Sequence, residues 1–506
     1  MSIVDGLRIS SRLSPDKPAI ICGEQSLTYA EFDRLTDNVA ARLLAAGVQP
    51  GDRVAVHMLN CSEVALTYGG CLKVGAIVVP INSRLKGREI AYILRHSGSV
   101  CYVGQCDLYC EVAGLRKELA DLRIFFLSGQ NVIQEGVLNF ENLLKSPSKP
   151  VSLPAIVADQ SAVIIYTSGT TAHPKGVTHS HETLMRLAET MRSLDLDENQ
   201  VVITTSSMAH ILSFAMVFLA GLVHRSTVVL IPQIDCHSVL QALERHRGTV
   251  MAGLPTFFQA VARTQTATPY DVRSGKHFYC GGDSVSPALQ EEFQRAMGQS
   301  VYEGYGSTEA VPLTFNKAGA ARVGSIGRAI EGVRIRLLGT DGRDVAPGEV
   351  GEICAQSPWL MTGYWKDPEA TEEAIRDGWF HTGDLARCDA DGYYWFAGRA
   401  KQIIIRGGSN ISPQEVESVI GEHPAVREAA VIGRPDSTWG EIVVAYVSIK
   451  DGQSLTEKEL IEFARARMAA YKTPEHVIFK DALPKNATGK MDRRALREAE
   501  RAQATL

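Results

Sequence analysis

Residues 166–177 read YTSGTTAHPKGV, a run of small hydroxyl and glycine residues that ends in a lysine between proline and glycine. Backbone N–H groups of a glycine-rich turn make a pocket for anions, and serine and threonine hydroxyls add donors without bulk. Ser168, Gly169, Thr170, Thr171 and Gly176 suit phosphate, and Lys175 can set a positive charge beside it. The order is not that of a Walker loop, which ends glycine-lysine-serine or threonine; here proline and lysine precede the glycine. Taken singly, the stretch is equally a solvated turn after the apolar residues 162–165. As a phosphate loop it leaves two chemistries open, moving a phosphoryl group or activating a carboxylate with a nucleotide.

Composition narrows the partners. A chain of 506 residues exceeds one simple core, so two or three domains are expected. At 45% hydrophobic and 22% charged it has the make-up of a soluble globular protein. A net charge of −5 argues against nucleic acid or an anionic membrane as the main partner. Asp5, Arg8, Arg12, Asp16 and Lys17 interrupt any secretory signal, which gives a cytoplasmic expectation. The longest apolar run, 211–223, has about 13 residues against the roughly 20 that span a bilayer, so it predicts a buried helix. Among ten scattered cysteines, Cys101, Cys106 and Cys110 lack the paired spacing and histidines of a zinc site and read as small apolar residues.

The elements that must position the loop alternate. Leu35, Val39, Leu43 and Leu44 recur near every 3.6 residues within 32–46, and Gly47 ends that helix. A strand pattern follows at 53–58, and the unit repeats at 62–74 with 76–80 and at 85–96 with 100–103. Such alternation predicts α/β sheets with helical crossovers. From Gly324 to Gly398, turns such as DGRD, APGEVGE and DADGYY separate short β-like runs at 333–338 and 350–355, a β-rich subdomain. Beyond Arg399 come a strand at 402–406, a Gly407–Gly408 turn and a helix start, with Ser412 as N-cap, Pro413 at N1 and Glu415 at N3. Val416, Val419 and Ile420 lie on one face of that helix. Patterns at 429–432, 442–449 and 457–467 complete a small α+β domain.

Five segments, in order, carry a resemblance over nearly the whole chain: YTSGTTAHPKGV (166–177), GYGSTE (304–309), HTGD (381–384), GRAKQIIIRGGSNISPQEVE (398–417) and PKNATGKMDR (484–493). The chain resembles the adenylate-forming superfamily of acyl-CoA synthetases, aryl-CoA ligases, luciferases and peptide-synthetase adenylation domains. The resemblance implies an α/β fold with a large N-terminal domain, 1–398, of two α/β sheets plus the β-rich subdomain. A hinge at 399–403 and a small mobile α+β domain at 404–506 would follow. It implies ATP, Mg²⁺ and coenzyme A, and a carboxylic acid activated as an acyl-adenylate before transfer to the thiol.

Residue roles come with it. Thr170 and Lys175 would hold the β and γ phosphates with Ser168, Gly169, Thr171 and Gly176. Glu309 would ligate Mg²⁺, with Thr170 beside the same ion, and Thr308 would touch the α-phosphate. Tyr305 offers an aromatic face to adenine, with Glu303 and Gly306 in the same pocket. Asp384 would accept both ribose hydroxyls, since a carboxylate only accepts, and Arg399 would add a second contact. Lys490 would stabilise charge on the α-phosphate and carboxylate; its other reading is a solvated basic tail among Lys485, Arg493, Arg494 and Arg497. Lys401 matches the hinge, and Gly407 and Gly408 would admit the pantetheine of CoA close to the backbone. The GGDS of 281–284 also resembles a carrier-protein serine site, which would make Ser284 a modified residue. Its place between the phosphate loop and YGSTE instead assigns Gly281, Gly282 and Asp283 to the nucleotide pocket.

The acyl pocket is expected from 208–214, 253–258, Tyr279, Cys280, Val311 and Pro312, with Phe214 and Phe257 among its apolar walls. None of these positions is Arg or Lys, and burying an unpaired carboxylate is prohibitive, so medium-chain or aromatic monocarboxylates fit better than diacids. His210 reads as a gate, a carboxylate contact or a packed imidazole. An amine or a separate carrier protein is the alternative acceptor, and a monomer or homodimer is expected. Two positions depart from the family pattern: Ala172, where glycine is frequent, and Gln402, where an acidic residue is common.

Overall fold

The computed structural model describes residues 1–129, 135–147, 151–167, 174–282, 285–399, 402–406, 409–436, 438–486 and 489–504. These divide into two compact units, one of residues 1–334 and 356–380, the other of 335–355 and 381–506.

In the first unit, local signals set the helices. Thr28 accepts from the Glu31 amide while Glu31 reaches back to the Thr28 amide, a capping box that starts the helix Tyr29–Ala45. The next helix, Ser62–Val74, ends at Gly75 in the left-handed region, φ 74°. The two helices cross closely because Gly69 and Gly70 face the first: a Cβ on Gly70 would lie 2.3 Å from Val39 Cγ1 and 3.2 Å from the Ala40 amide nitrogen. Lys73 is buried at this crossing, its ammonium held by Asp33 Oδ1 at 2.5 Å and Asp37 Oδ1 at 2.7 Å.

Among the described residues these helices serve an eight-stranded sheet. Its order is Gly363–Tyr364, Lys175–Ser180, Ser161–Thr167, Ile77–Pro80, Arg53–His57, Cys101–Gln105, Ile124–Ser128 and Leu138–Asn139. The inner strands run parallel, and Val54, Ala55, Val56, Val78 and Val79 are buried, hence their unbroken apolar sequence. The expected units at 53–58, 62–74, 76–80 and 85–96 correspond to these strands and to the helices Ser62–Val74 and Gly87–Ser97. A second, nine-stranded sheet has the order Arg328–Ala329, Ala310–Phe315, Val301–Ser307, His277–Cys280, Val250–Gly253, Val201–Ile203, Thr227–Leu230, Pro18–Cys22 and Gln25–Thr28. The apolar run 211–223 is the predicted buried helix, widened to π-helical turns over Leu212–Leu219 and α-helical at Ala220–Val223. Phe214 and Phe218 are fully buried, and the Tyr68 ring meets Phe214 edge-on at 5.0 Å. Among the described residues no helix is long and apolar enough to cross a membrane.

Arg334–Leu338, Val350–Gln356, Trp379–Cys388 and Tyr394–Arg399, which lie mostly in the second unit, are neighbouring strands, the β-rich stretch expected from the turn spacing. Another sheet joins Ser409–Ile411, Ile404–Arg406, Gly440–Ile449 and Val426–Asp436, with His476–Phe479 beside Gly440–Ile449. Both faces of Gly440–Ile449 are covered: Val443, Ala445 and Val447 meet Val416, Ile420 and Leu460, while Ile442, Val444 and Tyr446 meet Leu483 and Leu496. The helix Pro413–Gly421 begins as its sequence predicts, with the Ser412 hydroxyl accepting from the Glu415 amide.

The Gly70 crossing is testable. Val39 is β-branched and the Ala40 backbone lies behind it, so Gly70→Ala must push the two helices apart and is expected to destabilise the protein by about 1–3 kcal/mol. A denaturation midpoint equal to that of the parent would show that the helices do not touch there.

Candidate active site

The predicted phosphate loop joins two antiparallel strands. Ser161–Thr167 and Lys175–Ser180 pair as a hairpin, with Thr167 opposite Lys175 and Tyr166 opposite Gly176. Ser168, Gly169, Thr170 and Thr171, with Ala172, lie outside the described residues. Gly176 is buried in its strand; a Cβ there would lie 2.8 Å from Ile164 Cγ2 and 3.2 Å from Trp365 Cβ. Its carbonyl accepts from the Trp365 amide at 2.7 Å, which brings Gly363–Tyr364 against the hairpin. Lys175 then sits over the Tyr364 ring, Nζ 4.6 Å from the centroid.

The YGSTE segment forms a second hairpin. Val301–Ser307 returns as Ala310–Phe315, Ser307 pairs with Ala310, and Thr308 and Glu309 occupy the turn. Two glycines permit the tight return: a Cβ on Gly304 would meet the Phe315 ring at 2.4 Å, and one on Gly306 the Ala310 carbonyl at 2.8 Å. The Tyr364 hydroxyl donates to Glu309 Oε1 at 2.8 Å, and the Met361 amide donates to the Glu309 carbonyl at 2.7 Å. His179, fully buried in the phosphate hairpin, donates from Nε2 to the Thr308 carbonyl at 2.8 Å. Burial lowers the His179 pKa, so the ring is neutral with its proton on Nε2, and Nδ1 faces the Thr183 hydroxyl at 3.4 Å. Lys175, Tyr364, Glu309 and Thr308 thereby share one site.

This site suits Mg²⁺. The ion prefers one or two carboxylates together with phosphate oxygens and water. One carboxylate, held at a turn by Tyr364, stands beside a lysine that can face phosphate. Among the described residues no cluster of three His, Cys, Asp or Glu ligands includes Glu309. Phosphates would then supply the remaining protein-independent ligands.

Behind the turn, Cys280 pairs with Glu303 across parallel strands. The Gly281 amide donates to the Gly253 carbonyl at 3.2 Å, a Cβ on Gly281 would lie 3.2 Å from the Gly304 carbonyl, and Gly282 has φ 87°. A side chain at Gly281 would press on the Gly304 carbonyl, and the Gly282 backbone takes a conformation that favours glycine. Asp283 and Ser284 lie outside the described residues. Glu303 is buried, and Tyr305 is half-buried opposite Thr314.

The expected acyl-pocket residues divide. Phe214 packs on Tyr68, Cys280 belongs to the core of the nine-stranded sheet, and buried Tyr279 donates its hydroxyl to the Leu194 carbonyl. Phe257, Val311 and His210 are half-buried. An amide nitrogen only donates, so the 3.1 Å contact of Asn82 Nδ2 with His210 Nε2 makes Nε2 the acceptor.

In the second unit, Asp384 and Arg399 are register partners on adjacent strands, with Arg399 Nε 3.0 Å from Asp384 Oδ1. Asp384 is 5% exposed, and its amide donates to Thr382 Oγ1 at 3.1 Å. Lys490 closes a turn on Asn486: its amide donates to Asn486 Oδ1 at 3.0 Å and its carbonyl accepts from the Asn486 amide at 2.8 Å. Its basic neighbours are engaged elsewhere, Arg493 with Glu417 at 2.6 Å, Lys485 with Glu428 at 2.6 Å and Arg494 with Glu498 at 2.7 Å. Lys401, Gly407 and Gly408 lie outside the described residues.

Sequence reasoning missed Tyr364 and His179. His179 stands four residues after Lys175, on the same side of a strand, a signal available once 175–180 is read as β. Tyr364 reaches the site through a strand pairing that no local pattern announces.

Comparison with known proteins identifies the family. A family model described as AMP-binding enzyme matches residues 7–365, and one described as AMP-binding enzyme C-terminal domain matches 415–490. A feruloyl-CoA synthase of Amycolatopsis sp is 37% identical over 486 residues, 95% of each chain. An indoleacetate–CoA ligase of Aromatoleum aromaticum is 34% identical over 493 residues, 96% of each. The crystal structure of the anthranilate CoA ligase AuaEII in complex with anthranoyl-AMP superposes with a TM-score of 0.94 at 29% identity, covering 100% of this chain and 98% of that one. On these matches, and on the pairing of a phosphate hairpin with an acidic turn, the chain belongs to the AMP-binding enzyme family, as an acid–thiol ligase.

Proposed function

We propose that the protein converts an aromatic or medium-chain monocarboxylic acid into its CoA thioester through an acyl-adenylate, splitting ATP to AMP and pyrophosphate. The observation that carries this reading is the convergence of Lys175, Tyr364, Glu309 and Thr308. Lys175 would face the β and γ phosphates together with Ser168, Gly169, Thr170 and Thr171. Glu309, oriented by Tyr364, would hold Mg²⁺, which when bound offsets charge on the triphosphate. The adenine would lie along Gly281, Gly282 and Gly304 with Tyr305, and its ribose against Asp384 and Arg399. A carboxylate oxygen attacks the α-phosphorus, pyrophosphate leaves, and Lys490 offsets the charge that grows on the phosphoryl oxygens. The CoA sulfur then attacks the acyl carbon, AMP departs with the bonding pair, and the thiol proton passes to solvent. Residues 404–506 would reorient about 399–403 between the two steps, because one carbonyl carbon receives its two partners from different directions.

For the acid, the absence of Arg and Lys from 208–214, 253–258 and 311–312 supports a monocarboxylate. Relatives named for feruloyl, indoleacetate and hydroxybenzoate substrates support an aromatic acid, and those named for long-chain fatty acids support an alkyl one.

Pyrophosphate release measured over aromatic and straight-chain acids, with and without CoA, tests the reading. Steady turnover to an acyl-CoA and AMP for one class is expected; acid-dependent release indifferent to CoA would redirect the acyl group to an amine or a carrier protein. Lys490→Ala is expected to slow pyrophosphate release by at least about 100-fold. Adenylation at the parental rate in that variant would remove Lys490 from the chemistry. Tyr364→Phe keeps the ring under Lys175 and deletes the hydroxyl on Glu309. It is expected to raise the Mg²⁺ concentration for half-maximal rate several-fold and lower kcat by about 10-fold, the scale of a lost hydrogen bond to a charged group; an unchanged Mg²⁺ dependence would make Tyr364 a packing residue only.

A further inference from the structure

One cluster of ligand-type side chains lies outside the proposed chemistry. Glu352 and Cys354, two residues apart on Val350–Gln356, project from the same face of that strand. His381 comes from the neighbouring strand Trp379–Cys388. Its Nδ1 lies 3.3 Å from Cys354 Sγ and 3.1 Å from Glu352 Oε2, and one ligand atom from each residue falls within 4.8 Å of the others. Tetrahedral Zn²⁺, with bonds of about 2.0–2.3 Å, places its ligands roughly 3.3–3.8 Å apart. The spacing therefore needs little adjustment to admit an ion.

We propose that Glu352, Cys354 and His381 bind one thiophilic divalent cation of the Zn²⁺ class, and that its binding weakens the hold on the nucleotide's ribose. A thiolate, an imidazole and a carboxylate suit Zn²⁺ or Co²⁺ and not Mg²⁺, which takes oxygen ligands, so the site does not compete for the metal of the reaction. Cys354 is fully buried, while Glu352 and His381 keep part of their surface in solvent, leaving an approach and a fourth position for water. Coordination exchanges the thiol proton of Cys354 for the metal and releases it to solvent. The imidazole proton must sit on Nε2 so that Nδ1 can donate its lone pair.

The link to the nucleotide, which rests on the ribose role proposed for Asp384, is a short chain of hydrogen bonds. Glu352 Oε1 accepts from the Gly383 amide at 3.0 Å. Thr382 Oγ1 donates to the Ile353 carbonyl at 2.8 Å and accepts from the Asp384 amide at 3.1 Å. Drawing Glu352 and His381 onto a cation pulls on the 381–384 segment at His381 and at the Gly383 amide, next to Asp384, and Asp384 moves with it.

Co²⁺ titration of the intact protein, without nucleotide, tests the site independently of turnover. A near-ultraviolet charge-transfer band of a cobalt thiolate, saturating at one equivalent, is expected. Cys354→Val should lose that band and keep its acyl-CoA ligase rate within about twofold, since a buried thiol is replaced by a side chain of similar size. Glu352→Gln, which retains an oxygen for the Gly383 amide, should keep the band and bind Co²⁺ about tenfold more weakly, one charged ligand being lost. In excess Mg²⁺, Zn²⁺ should raise the KM for ATP in the parent and leave Cys354→Val unaffected. No band in the parent, or an undiminished band in Cys354→Val, would overturn the site. A Zn²⁺ effect equal in both proteins would overturn its link to the ribose.

Discussion

The hydrogen bond from His179 to the Thr308 carbonyl is the constraint on which the site depends. It joins the hairpin that follows the phosphate loop to the turn that carries Glu309, and those hairpins belong to different sheets. A buried imidazole is costly unless neutral, and burial keeps this one neutral with Nε2 as its donor. The strand Lys175–Ser180 thus has a job at each end. Lys175 meets Tyr364, His179 meets Thr308, and between them Thr178 accepts the Thr362 amide at 2.8 Å. A shift of that strand by one residue would exchange its two faces and turn Lys175 away from Tyr364 and His179 away from Thr308 together.

Tyr364 resolves an electrostatic difficulty. A lysine and a glutamate this close to one residue would neutralise each other if they touched, and neither would then be open to the ligand proposed for it. The ring keeps them apart while engaging both, the ammonium over its face and the carboxylate on its hydroxyl. The Tyr364 hydroxyl is itself pushed far toward the neutral, donating form by burial and by Glu309. Glycines supply the complementary constraint, since Gly176, Gly304 and Gly306 stand where any side chain would separate the strands.

Much of this was legible in the sequence. The helix at 62–74, the capped start at Ser412 and the parallel strands rest on local pattern, and local pattern sufficed. The YGSTE turn was legible as a motif, and its form as a hairpin came from the two glycines. Tyr364 lies nearly two hundred residues from Lys175 and pairs with its strand only in the folded sheet, so spacing could not reveal it. The acyl-pocket residues show the reverse limit. Phe214, Tyr279 and Cys280 are buried against neighbouring residues, and composition alone does not separate a wall of the core from a wall of a cavity.

Asp384 and Arg399 are ion-paired across adjacent strands. The buried Asp384 carboxylate has the Arg399 guanidinium 3.0 Å from Oδ1, so a donor that docked on that oxygen, as the ribose role proposed above requires, would compete with a cation already in place. What each hydroxyl would gain there is the difference between two sets of polar contacts. Such an exchange rewards a partner that offers both hydroxyls at once and gives little to one that offers a single hydroxyl. Discrimination between ribose and deoxyribose would then arise from what the protein must give up, as much as from what the ligand brings.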